Sequence, residues 1–336
     1  MTQQRNTFID FARSLFMLFV FLHHFYLTFP LLIDYVAYIN PFAELFVLLS
    51  GFMVGWIYFY RHEDKKLVKK GVEIIGAYLI VAIPIQIFAS LFINKGNLLL
   101  DTLNVVLLNT SNTFIEILKF YGLMFLLLPL VFKVYRFNKK LTIVLSVTVF
   151  TAALNIHGLN FIPVWGEPLK LMMIYQLYFI IGLLVGDLYK QDKANMQKVI
   201  KMAIILGYFA FAFHIIGFFN VEKGENYSVV KFFNTVYLVP IYLYLFYKIH
   251  EKIKDGKIES TILIIGRNSL AAFVISEYMR FWLVAVPYNI SLFSMNEVSA
   301  TICSFIFAAA LIYTVRMYEL RKNLLSAKGG VLQWGQ

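Results

Sequence analysis

"FIDFARSLFMLFVFLHHF", residues 8–25, opens on an Asp and an Arg, runs through apolar residues from Leu15 to Leu22, and reaches two adjacent histidines. About 20 mainly apolar residues at 1.5 Å rise match a ~30 Å hydrocarbon core, so the stretch predicts a membrane helix over residues 14–33. At about 100° per residue, Arg13 and His24 return to within ~20° of one face and lie about 16 Å apart along the axis. Asp10 precedes Arg13 by one turn on nearly the same side, whereas His23 projects about 100° away. One face therefore carries a charged pair at the membrane boundary and an imidazole near mid-membrane.

The rest of the chain has the same character. Its 336 residues are 60% hydrophobic, 18% aromatic and only 15% charged, with a mean hydropathy of +0.72, outside the range of ordinary soluble domains. Windows of about 20 residues give nine further spans: 42–60, 71–93, 114–132, 141–156, 171–189, 202–219, 232–247, 268–286 and 298–315. The expected fold is all-α, a polytopic integral membrane protein of about ten transmembrane helices, forming one domain over residues 1–336. The first span has charged residues at its start and no small-residue cleavage motif after it, so it reads as a retained helix.

A net charge of +11 would suit nucleic acid, but its distribution gives another meaning. Segments 1–13, 61–70, 133–140, 190–201, 248–267 and 316–328 hold 24 of the 30 Lys and Arg residues. The alternate loops hold Lys95, Lys119, Lys170, Lys223 and Lys231, and Arg280 falls inside a span. This follows the positive-inside rule with both termini cytoplasmic, and no nucleic-acid partner is expected. The lone Cys303 supports neither a disulfide framework nor a thiolate cluster.

Two stretches between spans stand out. The apolar centre of residues 94–113 is too short to cross and predicts an interfacial or re-entrant piece. "HGLNFIPVWGEPLK" (157–170) reads as an outer loop in which Trp165 is an interfacial anchor or, with His157 and Glu167, a sugar contact.

Ionisable residues inside spans are costly unless compensated. The second span runs inward, placing Ser50 about 13 Å deep near the level of His24, with Gly51 beside it and Glu44 nearer the outer surface. The ninth span runs outward from Arg267, so Ser276 and Glu277 reach the same level, and Arg280 is spaced for an i,i+3 pair with Glu277. Each also has a purely structural reading: mutual neutralisation for Glu277 and Arg280, and backbone hydrogen bonds for His23 and His24.

Neutral imidazole is suited to taking a proton from a hydroxyl near neutral pH. Metal binding fits less well, because adjacent histidines diverge on a helix, and no metal is expected. Neither a G-x-S-x-G elbow nor a G-x-x-x-x-G-K-[ST] phosphate loop occurs. Two classes remain: acyl transfer across the membrane, or a non-catalytic permease or flippase for a polar solute or glycan.

Asp10, Arg13 and His24, as Asp-x-x-Arg followed eleven residues later by His, resemble the first helix of the membrane acyltransferase-3 superfamily. "AELFVLLSGFMVG" (43–55) is similar to its second-helix motif through Glu44, Phe46, Ser50 and Gly51. "YQLYFIIGLLVG" (175–186) and "IGRNSLAAFVIS" (265–276) are closest to the OpgC-like, glucan succinyltransferase-type branch. Many superfamily members carry a His where this chain has Ser276, and the branch commonly has Asp where this chain has His23.

The resemblance implies an O-acyltransferase of the cell membrane, in bacteria the cytoplasmic membrane. It implies acyl-coenzyme A as donor, an envelope glycan or other hydroxyl-bearing acceptor, and contact with membrane lipid. Carried over, His24 is the catalytic base with Glu44 and Asp10 as acids of the site, and Arg13 binds the donor or organises the site. Arg61 and Arg267 would meet donor phosphates, topology alone being the other reading for both. Arg280 would engage an anionic acyl chain or acceptor.

Overall fold

The computed structural model describes residues 7–28, 42–61, 63–93, 97–109, 115–155, 166–215, 229–289 and 296–328, and all regular structure among them is helical. In chain order the helices are α1 (Thr7–Thr28), α2 (Phe42–Met53), α3 (Asp64–Phe88), α4 (Leu98–Val106), α5 (Glu116–Phe137), α6 (Lys139–Asn155) and α7 (Gly166–Gln191). They continue as α8 (Lys193–Ile215), α9 (Val229–Ile253), α10 (Lys257–Arg267), α11 (Ser269–Arg280), α12 (Val286–Asn289) and α13 (Glu297–Lys328). Single π-helical turns extend α2, α3 and α11 over Val54–Tyr58, Ala89–Ile93 and Phe281–Ala285.

Five helical stretches among the described residues are long and apolar enough to cross a membrane: Thr7–Phe25, Asp64–Phe92, Glu116–Phe137, Leu169–Gln191 and Val298–Leu324. A sixth arises if Lys257–Arg267 and Ser269–Ala285, bent by 87° at Asn268, form one broken span. The expected second span is the shorter apolar helix Phe42–Tyr58, and the fifth is the 17-residue α6. The segments at 202–219 and 232–247 fall on α8 and α9, with residues 216–219 outside the described set.

Several boundaries differ from those expected, because a hydropathy window marks the apolar centre of a helix and not its ends. α1 and α3 each begin seven residues before the window does, so Lys65, Lys66, Lys69 and Lys70 ride on the first turns of α3 instead of in a loop. Long cationic side chains tolerate this by extending toward water. Lys119 and Lys170, counted with loop cations from the sequence, lie in α5 and α7, and Lys119 is only 1% exposed. The stretch read as a loop over 157–170 is helical from Gly166, and His157 and Trp165 lie outside the described residues. Within 94–113, α4 is nine residues long and capped by the Asn97 side chain on the Leu99 and Leu100 amides.

The helices cluster in two compact units, Met1–Phe42 with Leu245–Gln336, and Ala43–Tyr244. In the first, α1 packs against α10, α11 and α13. In the second, α3 lies along α5, and α7 meets α6 and the π turn after α2. Two Gly-x-x-x-Gly pairs sit face to face there. A Cβ on Gly51 or Gly55 would strike the carbonyl of Phe179 or Leu183, and one on Gly182 or Gly186 would strike that of Leu48 or Phe52. Small residues so placed let membrane helices meet at backbone distance.

At the end of α7, Asp187 is 0% exposed and accepts from Tyr135 Oη (2.9 Å), Lys139 Nζ (2.6 Å), Gln191 Nε2 (2.8 Å) and the Tyr60 hydroxyl.

Candidate active site

The first unit brings together His24, Glu277 and Arg280. Glu277 Oε1 lies 2.6 Å from His24 Nδ1, and Arg280 Nε donates to Glu277 Oε2 at 2.9 Å. All three are buried, Glu277 completely. The fold accounts for the meeting: α11 packs on α1, and one helical turn sets Arg280 above Glu277. Phe273, one turn before Glu277, presents its ring edge-on to the imidazole at 6.3 Å.

A carboxylate only accepts hydrogen bonds, so beside ionised Glu277 the neutral imidazole carries its proton on Nδ1 and its lone pair on Nε2. The Arg280 guanidinium compensates the charge that a buried Glu277 would otherwise hold alone. His23, half-buried, has its ring centroid 6.0 Å from that of His24. Ser276 is buried beside Glu277, with its hydroxyl donating to the Phe273 carbonyl at 2.7 Å.

At the other end of α1, Arg13 Nη2 donates to Ser269 Oγ at 2.7 Å. Ser269 is the first residue of α11, immediately beyond the 87° break. Ser14 Oγ donates to the Asp10 carbonyl and accepts from the Gly266 amide, both at 2.8 Å. Asp10 itself is buried and Arg267 is exposed. The broken helix is thus tied to α1 on both sides of its bend and again through His24. The span expected over 268–286 starts at this bend, and what the sequence does not reveal is that residues 257–267, counted with a basic cytoplasmic segment, form the helix on its other side, although Gly266, Asn268 and Ser269 are turn-forming and cap-forming residue types.

A second buried imidazole was also missed. His250 Nε2 lies 2.8 Å from Glu259 Oε1, and Glu259 Oε2 accepts from the Asp255 amide at 2.6 Å in a turn where Asp255 has φ 63°. The rings of Phe8 and Phe11 pack on His250. The spacing His250-x8-Glu259 across an Asp-Gly turn was the available signal.

The remaining expected site residues belong to the second unit. Glu44 is buried in the first turn of α2, Ser50 Oγ donates to the Phe46 carbonyl and accepts from Tyr121 Oη at 3.0 Å, and Arg61 is exposed. Among the described residues, no three His, Cys, Asp or Glu side chains converge as a metal-binding group.

No curated protein and no solved structure matches the chain. A family model described as an acyltransferase domain, Acyl_transf_3, matches residues 6–317, a stretch that holds both ends of the His24, Glu277 and Arg280 arrangement. The chain therefore belongs to the Acyl_transf_3 family of membrane acyltransferases.

Proposed function

We propose that the protein transfers an acyl group from cytoplasmic acyl-coenzyme A to a hydroxyl of an extracytoplasmic glycan, with His24 as general base. The observation that carries this reading is the 2.6 Å contact between His24 Nδ1 and buried Glu277. It leaves the lone pair of the neutral imidazole on Nε2, the arrangement a base needs. His24 Nε2 takes the proton of the acceptor hydroxyl as that oxygen bonds to the acyl carbon of the thioester. The carbon–sulfur bond breaks, and the proton passes from Nε2 to the departing thiolate.

Arg13, with Arg267, would hold the donor's phosphates, guanidinium being suited to paired bonds with phosphate oxygens. The charge asymmetry of the loops supports ten spans with both termini cytoplasmic, and the resemblance to the superfamily supports the bacterial cytoplasmic membrane. The motifs at 43–55, 175–186 and 265–276 support the OpgC-like branch, and with it a glycan acceptor. Glu44, Asp10, Ser50 and Ser276 are supporting groups in this reading.

Purified protein supplied with a panel of acyl-coenzyme A species and a glycan should release free thiol and yield an acylated product of matching mass. His24→Ala should lower that rate by about a hundredfold or more. Unchanged turnover in correctly inserted His24→Ala protein would remove the base from the proposal.

The 87° break favours one other reading, since discontinuous helices are common in transporters. Solute movement across proteoliposomes with acyl-coenzyme A left intact would select the permease or flippase.

A further inference from the structure

We infer that Arg280 is a positioning residue: through Glu277 it fixes the tautomer of His24, so that Arg280, Glu277 and His24 act as one unit. The inference rests on the reading of His24 as base, and goes beyond it by assigning Arg280 a role in which it touches neither donor nor acceptor.

The geometry has a directional logic. Glu277 divides its two oxygens, Oε1 toward His24 Nδ1 and Oε2 toward Arg280 Nε, at 2.6 and 2.9 Å. Burial of all three groups makes each bond depend on the next. Without a guanidinium on Oε2, burial favours the neutral acid. A protonated Glu277 can donate to Nδ1, and that reverses the tautomer by moving the imidazole proton to Nε2. The base would then present an N–H where the acceptor hydroxyl needs a lone pair.

The alternative assignment, Arg280 as a recognition group for an anionic substrate, uses the same residue in another way. It predicts a change in KM for one substrate. The positioning role predicts a change in kcat common to every acyl donor and acceptor, because the tautomer is lost before substrate choice matters.

The test uses full-length protein in detergent or nanodiscs, labelled with 15N-histidine, with the His24 ring signals assigned by their loss in His24→Ala. Wild type should show the Nδ1–H tautomer. Arg280→Gln should populate the Nε2–H form and lower kcat about a hundredfold, while KM for donor and acceptor changes less than about threefold. Arg280→Lys should recover both the Nδ1–H signal and at least a tenth of the wild-type kcat. Glu277→Gln/Arg280→Gln, which carries no buried charge at these positions, should be no slower than Glu277→Gln alone, because both changes break the same unit.

An Arg280→Gln protein with the wild-type tautomer and kcat would overturn the inference. So would a loss confined to the KM of one substrate. If Arg280→Gln does not fold, Glu277→Gln compared with Glu277→Gln/Arg280→Gln decides the matter: a further fall in kcat on adding Arg280→Gln would show that Arg280 acts apart from Glu277 and overturn the inference. A fully active His24→Ala would instead remove the base assignment while leaving the tautomer result to be read on its own.

Discussion

The Gly266 amide donates to Ser14 Oγ at 2.8 Å, and the same hydroxyl donates onward to the Asp10 carbonyl at 2.8 Å. A single hydroxyl thereby joins the backbones of α1 and α10. A Cβ on Gly266 would collide with the Asp10 carbonyl and with Ser14 Oγ, so no larger residue fits while these bonds persist. Gly266→Ala should destabilise the protein by about 1–3 kcal/mol through forced separation of the two helices. Ser14→Ala, which removes the bridging hydroxyl without overfilling the contact, should cost about 1 kcal/mol. Thermal unfolding in detergent, followed by exposure of Cys303 to a thiol reagent, measures both.

Arg13 reaches Ser269 Oγ at the first residue beyond the bend. With Arg13 as a donor-binding cation, Arg13→Ala should raise KM for acyl-coenzyme A at least about tenfold, the scale of one charged hydrogen-bonding group. Ser269→Ala leaves the guanidinium in place and should change KM by less than about threefold. Initial rates against donor concentration at saturating acceptor separate the two.

Glycine content alone does not report constraint, and two positions in the second unit show the difference. Gly182 would drive a Cβ into the Leu48 carbonyl, whereas nothing lies within 4 Å of a Cβ on Gly76. Gly182→Ala should destabilise the protein by about 1–3 kcal/mol. Gly76→Ala should be neutral or stabilising by about 0.5–1 kcal/mol, because alanine has less conformational freedom than glycine to lose on folding into a helix. Thermal midpoints of the two variants in one detergent give the comparison.

The sequence carried a good part of this geometry where one residue's position follows from counting. Rise per residue set Glu277 at the level of His24, and the side chains meet at 2.6 Å; i,i+3 spacing linked Glu277 to Arg280, which meet at 2.9 Å. Counting failed where two distant segments cooperate. Nothing local to Asp187 marks it as the acceptor for Tyr60, Tyr135, Lys139 and Gln191, since only tertiary structure brings the first three to it. The helix before the bend is hidden differently: Lys257, Glu259 and Arg267 make residues 257–267 read as part of a basic loop, so the expected span starts at the bend and the helix preceding it goes unseen. A charge near a span edge ordinarily marks a loop, and Lys119 departs from that pattern because the first turn of α5 buries it beside Glu116 at 4.0 Å.

The partner that neutralises Glu277 stands three residues further along the same helix. During biosynthesis the two opposite charges therefore leave the ribosome within a few residues of one another and can enter the bilayer as a paired, low-net-charge segment. The carboxylate does not have to wait for a distant helix to lower its cost of insertion. His24, made some 250 residues earlier, can then be engaged as a late step of assembly by a group already accommodated in the membrane.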